Sequence, residues 1–209
     1  SSHPLAKSVN FEPFTMKNFI ALLSFILSLF VAGSLSHGQA KQSTPHKQVW
    51  DGEKTSFHGF DQYNFPLEGI ACRVVVPKKI ADGKPWVWRA RFFGHQPQFD
   101  IAMLKRGYHV VYCDVSGLFG NREAVNRWNQ FYNYLRFEHL FSDRAILEGM
   151  SRGGLIVYNW AASNPDKVAA IYADAPVLDF KSWPKINPII LKVYGFKNEQ
   201  EAKAYKNNP

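Results

Sequence analysis

The sequence predicts an α/β fold in which a mainly parallel sheet is flanked by helices, and three observations lead to this prediction. Strand-like and helix-like segments alternate from residue 99 onward. In the longest helical segment, Val125, Trp128, Tyr132 and Leu135 recur at three- and four-residue steps and mark one buried face. A chain of 209 residues, 46% of them hydrophobic, has room for one domain with a sizeable core. Strands and helices that alternate in this way imply right-handed crossovers between parallel strands.

The N-terminal region has the pattern of a signal peptide that begins inside the sequence. A basic start at Met16-Lys17-Asn18 precedes an apolar run over residues 19–32, and Gly38-Gln39-Ala40 provides small residues for cleavage. The run of about 14 residues is shorter than the roughly 20 that a membrane span needs. We therefore expect residues 1–15 to be upstream non-native sequence and residues 16–40 to be a signal peptide. The mature protein would be exported to the periplasm or the extracellular space, without a stable membrane anchor.

A polar, turn-rich stretch over residues 41–56 is predicted to be a linker, and residues 57–209 are predicted to form the domain. The first strands are β-branched and aromatic, and the later ones alternate with helices. The predicted strands are residues 57–65, 70–76, 86–93, 108–115, 145–147 and 168–174. The predicted helices are residues 99–105, 121–138, 152–163 and a polar segment over 197–207.

Charge and cysteine content exclude several classes of function. The formal net charge is +8, but the basic residues are scattered and form no run with interleaved aromatic residues, so we expect no nucleic-acid partner. Cys72 and Cys113 are too few for a disulfide framework and lack metal-ligand spacing. Each lies in an apolar strand-like run, which predicts two buried free thiols and leaves a single bridge open. Neither a metal nor a cofactor is predicted.

The stretch RAILEGMSRGGLIVY, residues 144–158, contains the motif most typical of a chemical site. Ser151 lies between Gly149 and Gly153, after a short apolar strand and directly before a helical segment. A serine in a sharp strand-to-helix turn needs small residues on both sides, because side chains there would collide across the turn. The free amides at the helix start favour a developing negative charge. The alternative is a serine that caps a core helix between small packing residues.

The chain resembles the α/β-hydrolases, and more closely the secreted bacterial members whose nucleophile turn reads G-M-S-R-G-G. The resemblance covers roughly residues 70–183 through WVWRARFFG, HVVYCDV, RWNQFYNYL, LEGMSRGGLIVYNWA and IYADAPV. It implies that Ser151 attacks an ester or amide carbonyl with the help of a histidine base and an acid. It also implies an oxyanion hole made by the backbone amide of Arg152 and a second amide from the loop with Gly94 and His95, for which we expect His95 N–H.

The chain departs from this family in the position of the catalytic acid and the histidine base. In the family the order is serine, acid, histidine, yet all seven histidines precede Ser151. We therefore expect the acid and the histidine to lie beyond residue 209 in a C-terminally truncated sequence, and this chain alone to be inactive. His95 is either a substitute base or a loop residue. Asp174 is either the acid or a residue that caps a helix or makes a structural hydrogen bond, and Asp114 is expected to cap a loop or line the pocket. Both are candidates for the pocket, and Glu148 is expected to pair with a basic residue.

Three functions remain open. The first is an exported serine hydrolase that cleaves a carboxylic ester through an acyl-enzyme on Ser151, with a small-molecule or acylated-carbohydrate substrate. The second is a prolyl-oligopeptidase-like serine peptidase, which the continuation S-R-G-G also permits. The third is a non-catalytic relic that uses the sheet without chemistry. Loss of ester hydrolysis in Ser151→Ala separates the first two from the third, and a comparison of ester with peptide substrates separates the first from the second.

Overall fold

A computed structural model describes residues 50–206. Among these residues, seven strands form one sheet and five α-helices accompany it. The strands are β1 (Glu53–Phe57), β2 (Phe60–Leu67), β3 (Ile70–Val76), β4 (Trp86–Arg89), β5 (His109–Cys113), β6 (Ala145–Met150) and β7 (Val168–Asp174). The helices are α1 (Gln98–Lys105), α2 (Arg122–Asn133), α3 (Gly154–Ser163), α4 (Pro188–Tyr194) and α5 (Glu199–Ala204).

The sheet is mixed, and its second half is parallel. The strand order is β1-β2-β3-β5-β4-β6-β7. Strands β1, β2, β3 and β5 pair antiparallel in succession, whereas β5, β4, β6 and β7 pair parallel. Helices α1, α2 and α3 each lie in a connection between two of the parallel strands. The predicted α/β class, with helices between parallel strands, is confirmed.

The core lies on both faces of the sheet. Alternate residues of β4 point to opposite faces, so Trp86 and Trp88 pack in one apolar cluster and Val87 packs in another. The larger cluster includes the buried face of α2 and Trp160 of α3, and the rings of Trp88 and Trp128 stack with their centroids 4.0 Å apart. The smaller one includes Leu104 of α1. The helices are thus divided between the two faces, as an α/β sheet requires.

The predicted linker over residues 41–56 is wrong in its last part. Strand β1 begins at Glu53 and pairs along its length with β2, ending at the turn where Phe57 faces Phe60. Trp50 is only 5% exposed and its ring stacks on that of His139, with centroids 3.8 Å apart. The sheet and the core therefore begin before residue 57. The first part of the predicted linker, residues 41–49, lies outside the described residues.

Other differences concern the ends of elements. Helix α2 ends at Asn133 and continues as a π-helical turn, Tyr134–Glu138, so the predicted helix over residues 121–138 has two parts. Asn121 is its cap and accepts a hydrogen bond from Ala124 N–H at 2.9 Å. Strand β6 extends beyond the predicted residue 147 to Met150. Helix α4 was not predicted, although Asn187 caps its start and Gly195 follows its end.

Two further predictions concern the cysteines and the N-terminus. Cys72 and Cys113 are free and buried, and they face each other in register between β3 and β5, which confirms the prediction of buried thiols. The predicted upstream sequence (residues 1–15) and the predicted signal peptide (residues 16–40) lie outside the described residues. Within residues 50–206, no helix is long and apolar enough to cross a membrane.

Candidate active site

Ser151 lies in a strained turn between a strand and a helix. Strand β6 ends at Met150, a single 3-10 turn covers Ser151–Gly153, and α3 begins at Gly154. Ser151 has a φ of 49°, in the left-handed region that side chains other than glycine rarely adopt. Backbone strain of this kind persists only when the surrounding packing holds it, and it concentrates at functional sites. The strand-turn-helix context predicted for Ser151 is therefore present.

The glycines around Ser151 lie at close contacts. A Cβ atom on Gly149 would lie 3.1 Å from Cγ2 of Val157, and one on Gly153 would lie 3.1 Å from Cβ of Arg91. Both distances are tight enough that the neighbour must move. The predicted steric need for glycine thus has a specific cause at each position. Helix α3 packs closely against Gly149, and the loop after β4 packs closely against Gly153.

Gly154 is a third glycine of the turn, and sequence reasoning did not single it out. A Cβ there would lie 2.7 Å from Cβ of Pro176 and 2.7 Å from the carbonyl oxygen of Val177. The amide of Val177 donates to the carbonyl of Ser151 at 2.9 Å. The loop after β7 is thus hydrogen-bonded directly to the nucleophile turn. The feature of the sequence that could have identified Gly154 is the pair of glycines in S-R-G-G.

The carboxyl ends of the four parallel strands lie at one edge of the sheet, and the predicted site residues follow them. Gly94 and His95 lie in the loop after β4, Asp114 follows β5, Ser151 follows β6 and Asp174 ends β7. Ligands of α/β sheets bind at this edge. A cavity of about 10 Å³, room for about one water molecule, lies beside the turn and is lined in part by Arg91, Ser116, Gly120 and Gly153. The predicted site residues therefore lie at the same end of the sheet, where the parallel strands have their carboxyl ends.

The side chain of Arg152 packs against aromatic rings. Its guanidinium lies 5.8 Å from the ring centroid of Phe92 and 5.7 Å from that of Trp183. The side chain therefore packs beside the nucleophile turn, and the oxyanion role of the Arg152 amide stays a prediction.

The loop that should supply the second oxyanion donor forms a turn of its own. His95 N–H donates to the carbonyl of Phe92 at 2.9 Å, and Gly94 has a φ of 83°. The parts of this loop that lie against the nucleophile turn are Arg91 and Phe92, which precede His95. His95 N–H as the second donor stays a prediction, but its hydrogen bond to Phe92 counts against it.

Asp114 caps the turn that follows β5. Its Oδ1 accepts a hydrogen bond from Ser116 N–H at 3.0 Å. Partial burial raises the pKa of Asp114, but hydrogen bonds from Ser116 and Tyr112 and the charge of Arg91 outweigh burial and hold this pKa below its usual value. Asp114 is thus an ionised loop cap at the site edge. Asp174 faces Met150 in register, beside the nucleophile turn.

Two of the histidines lie at the opposite edge of the sheet. His109 is the first residue of β5, so the length of that strand separates it from the site edge. Burial, together with the charge of Lys84, lowers the pKa of His109 to about 3. Burial and the same lysine lower the pKa of His139, which stacks on Trp50, to about 4. Both are neutral packing residues, and neither can act on Ser151.

A buried ionic cluster lies beneath the site. Nη1 of Arg89, the last residue of β4, is 2.6 Å from Oδ2 of Asp100 and 2.8 Å from Oε1 of Glu148. The expected pairing of Glu148 with a basic residue is therefore confirmed. Arg89 and Asp100 were missed, although each is a charged residue inside an apolar segment, WVWRARFF or FDIAML. Such positions are rarely charged unless they are paired.

No protein-family model and no curated protein matches the sequence, but solved structures match the fold. The S-formylglutathione hydrolase of Agrobacterium tumefaciens is similar to this chain with a TM-score of 0.50 and 18% identity, over 74% of this chain and 72% of that one. The acetyl xylan esterase of Aspergillus awamori matches with a TM-score of 0.45 and 14% identity over 53% of this chain, and a bacterial membrane phospholipase A with 0.42 and 17% over 58%. This chain spans 50% of the length of the esterase and 41% of that of the phospholipase.

The likeness to the A. tumefaciens hydrolase agrees with the fold described above. The mixed sheet with its parallel half, the helices on both faces and the serine in a strand-to-helix turn occur together in one chain. The superposition with the hydrolase of A. tumefaciens extends over 74% of this chain and 72% of that one. Over its described residues, the protein has the α/β-hydrolase fold.

Proposed function

We propose that the protein is an exported serine hydrolase that cleaves carboxylic esters through an acyl-enzyme on Ser151. The observation that supports this most is the strained conformation of Ser151, at φ 49°, at the carboxyl end of a parallel strand. A serine that merely caps a core helix has no need of left-handed backbone. Here the glycines beside Ser151 are closely packed by three residues, Val157, Arg91 and Pro176. Export rests on the signal-peptide pattern over residues 16–40.

In the proposed reaction, Oγ of Ser151 attacks the ester carbonyl, and the alcohol leaves as the acyl group is transferred to the serine. The carbonyl oxygen becomes an oxyanion, which backbone amides at the start of the helix stabilise. We assign one donor to Arg152 N–H and the second to the loop after β4. Water then hydrolyses the acyl-enzyme. A general base must accept the serine proton, and neither His109 nor His139 is positioned for this role.

In this proposal, the acyl or carbohydrate portion of the substrate binds to the surface beside the turn. Trp183 is 42% exposed, and its ring lies against the guanidinium of Arg152, which also contacts Phe92. Aromatic rings give apolar and sugar groups a flat surface to pack on. The S-formylglutathione hydrolase and acetyl xylan esterase named above are hydrolases, which agrees with the proposed class of reaction.

The test uses the protein expressed from its complete reading frame, with p-nitrophenyl acetate and a peptidyl p-nitroanilide as substrates. We expect turnover of the ester, loss of that turnover in Ser151→Ala, and little hydrolysis of the anilide. Ser163→Ala is the matched control, since Ser163 is an exposed serine at the far end of α3. Preferred cleavage of the anilide would favour a peptidase instead. Equal ester turnover by Ser151→Ala would refute the nucleophile assignment.

A further inference from the structure

The ionic cluster at Arg89 joins several parts of the site through a single side chain. Besides Asp100 and Glu148, the guanidinium donates from Nε to the carbonyl of Arg91 at 3.2 Å and from Nη2 to the carbonyl of His95. Arg89 is 1% exposed. One buried side chain therefore connects strand β6, helix α1 and both ends of the loop after β4.

The position of these contacts relates the cluster to catalysis. Glu148 lies on β6, three residues before Ser151, which follows the end of that strand. Arg91 is the residue whose Cβ limits Gly153 on the other side of the nucleophile turn. The planar fork of arginine can hold two carboxyls and two carbonyls at once, whereas the compact ammonium of lysine cannot span them. The guanidinium can therefore fix the distance between the loop after β4 and the nucleophile turn.

The charges in the cluster do not balance unless one carboxyl is protonated. Two buried carboxyls face one guanidinium, and among the described residues Asp100 Oδ1 and Glu148 Oε2 have no hydrogen-bond donor. Burial and the neighbouring charge of Asp100 raise the pKa of Glu148 to about 8, against the opposing effect of Arg89. Tyr172 of β7 lies next to Glu148 in register. At neutral pH the cluster therefore consists of one cation, one anion and one neutral carboxyl.

We propose that Arg89 is a positioning residue of the active site, and that a proton held between Asp100 and Glu148 keeps its cluster neutral so that loss of this proton lowers activity in alkaline solution. The proposal rests on the hydrolase function proposed above. When the proton leaves, an unbalanced negative charge remains in a buried position near the end of β6, which leads into Ser151. Such a charge strains the cluster that holds the loop and opposes the oxyanion that forms on the substrate.

The experiment measures kcat and KM for p-nitrophenyl acetate between pH 6 and 10, after subtraction of spontaneous hydrolysis. We expect the kcat of the wild-type protein to fall as the pH rises through about 8. Glu148→Gln and Asp100→Asn each leave one carboxyl and one guanidinium, so neither should show this fall. Arg89→Lys should lower kcat on the order of 100-fold, the effect of losing one oxyanion donor, with a much smaller change in KM. Glu123→Gln is the control, because its pair with Arg127 is exposed.

A merely structural cluster gives a different result. If Glu148→Gln and Asp100→Asn keep the alkaline fall, or if Arg89→Lys keeps the wild-type kcat, the proposal is wrong even though Ser151→Ala is inactive. A second measurement needs no turnover. The urea midpoint of the wild-type protein should fall from pH 5 to pH 8 relative to that of Glu148→Gln, since a raised folded-state pKa confers stability that is lost as the pH rises. Parallel midpoints would overturn the shared proton whatever Ser151 does.

Discussion

Replacement of Gly154 by alanine should destabilise the protein through one defined contact. The added Cβ would lie 2.7 Å from Cβ of Pro176 and 2.7 Å from the backbone oxygen of Val177. Val177 N–H is bonded to the carbonyl of Ser151, so the loop after β7 cannot retreat without loss of this hydrogen bond. The backbone conformation of Gly154, φ −56° and ψ −37°, is helical and suits alanine. The penalty therefore comes from the contact and not from the dihedral angles.

The size of the effect follows from two opposing contributions. Overpacking a buried position costs typically about 1–3 kcal/mol, and the upper end applies because one of the two clashing atoms belongs to the backbone. Alanine recovers up to about 1 kcal/mol over glycine in a helix. The expected loss in the free energy of unfolding is thus about 2 kcal/mol. For a chain of this size it corresponds to a decrease of roughly 4–8 °C in Tm.

Urea and thermal unfolding of Gly154→Ala and Gly117→Ala measure this difference. A Cβ on Gly117 meets no atom within 4 Å, so this variant should stay within about 0.5 kcal/mol of the wild-type protein. If Gly154→Ala is as stable as Gly117→Ala, the loop after β7 does not lie against the start of α3 as described, and the reasoning about the third glycine fails.

Three further outcomes are expected. Ser151→Gly should be more stable than Ser151→Ala by about 1 kcal/mol in urea unfolding, because glycine relieves the left-handed strain; equal stabilities would contradict the strain. Because the pKa of His109 is depressed to about 3, the wild-type protein should lose about 2 kcal/mol of stability relative to His109→Leu as the pH falls from 6.5 to 5. Parallel pH dependence of the two proteins would refute this. Cys72 and Cys113 should resist iodoacetamide until the protein unfolds, as followed by mass spectrometry, since both are buried; rapid native labelling would disagree.

Much of the fold could be predicted because its signals are local. Strand β7 was predicted with its observed bounds over residues 168–174, and α3 lies within the segment predicted over residues 152–163. Both predictions succeed because hydrophobic periodicity and the glycines around Ser151 determine structure over a few neighbouring residues. Strand β1 was not predicted, because its sequence EKTSF is mostly polar and exposed and only Phe57 is buried. A strand of this kind is defined by its partner, β2, and not by its own composition.

The parts of the site that could not be predicted depend on distant contacts. Arg89 and Glu148 are 59 positions apart and meet only because β4 and β6 are neighbours in the sheet. That adjacency follows from the strand order, in which β5 lies outside β4. Gly154 likewise owes its importance to Pro176, which follows the next strand. The sequence identifies the nucleophile turn, whereas the groups that hold it follow from the topology.

The measurement that tests the central claim most directly is the location of the acyl group during turnover. The protein from the complete reading frame is mixed with p-nitrophenyl acetate, quenched in acid within the first turnovers, digested with trypsin and analysed by mass spectrometry. Cleavage after Arg144 and Arg152 releases the peptide AILEGMSR, in which Ser151 is the sole hydroxyl-bearing residue. We predict acetylation of this peptide in the wild-type protein and none in Ser151→Ala. Ester turnover without acetyl on Ser151, or with acetyl on another peptide, would contradict the account.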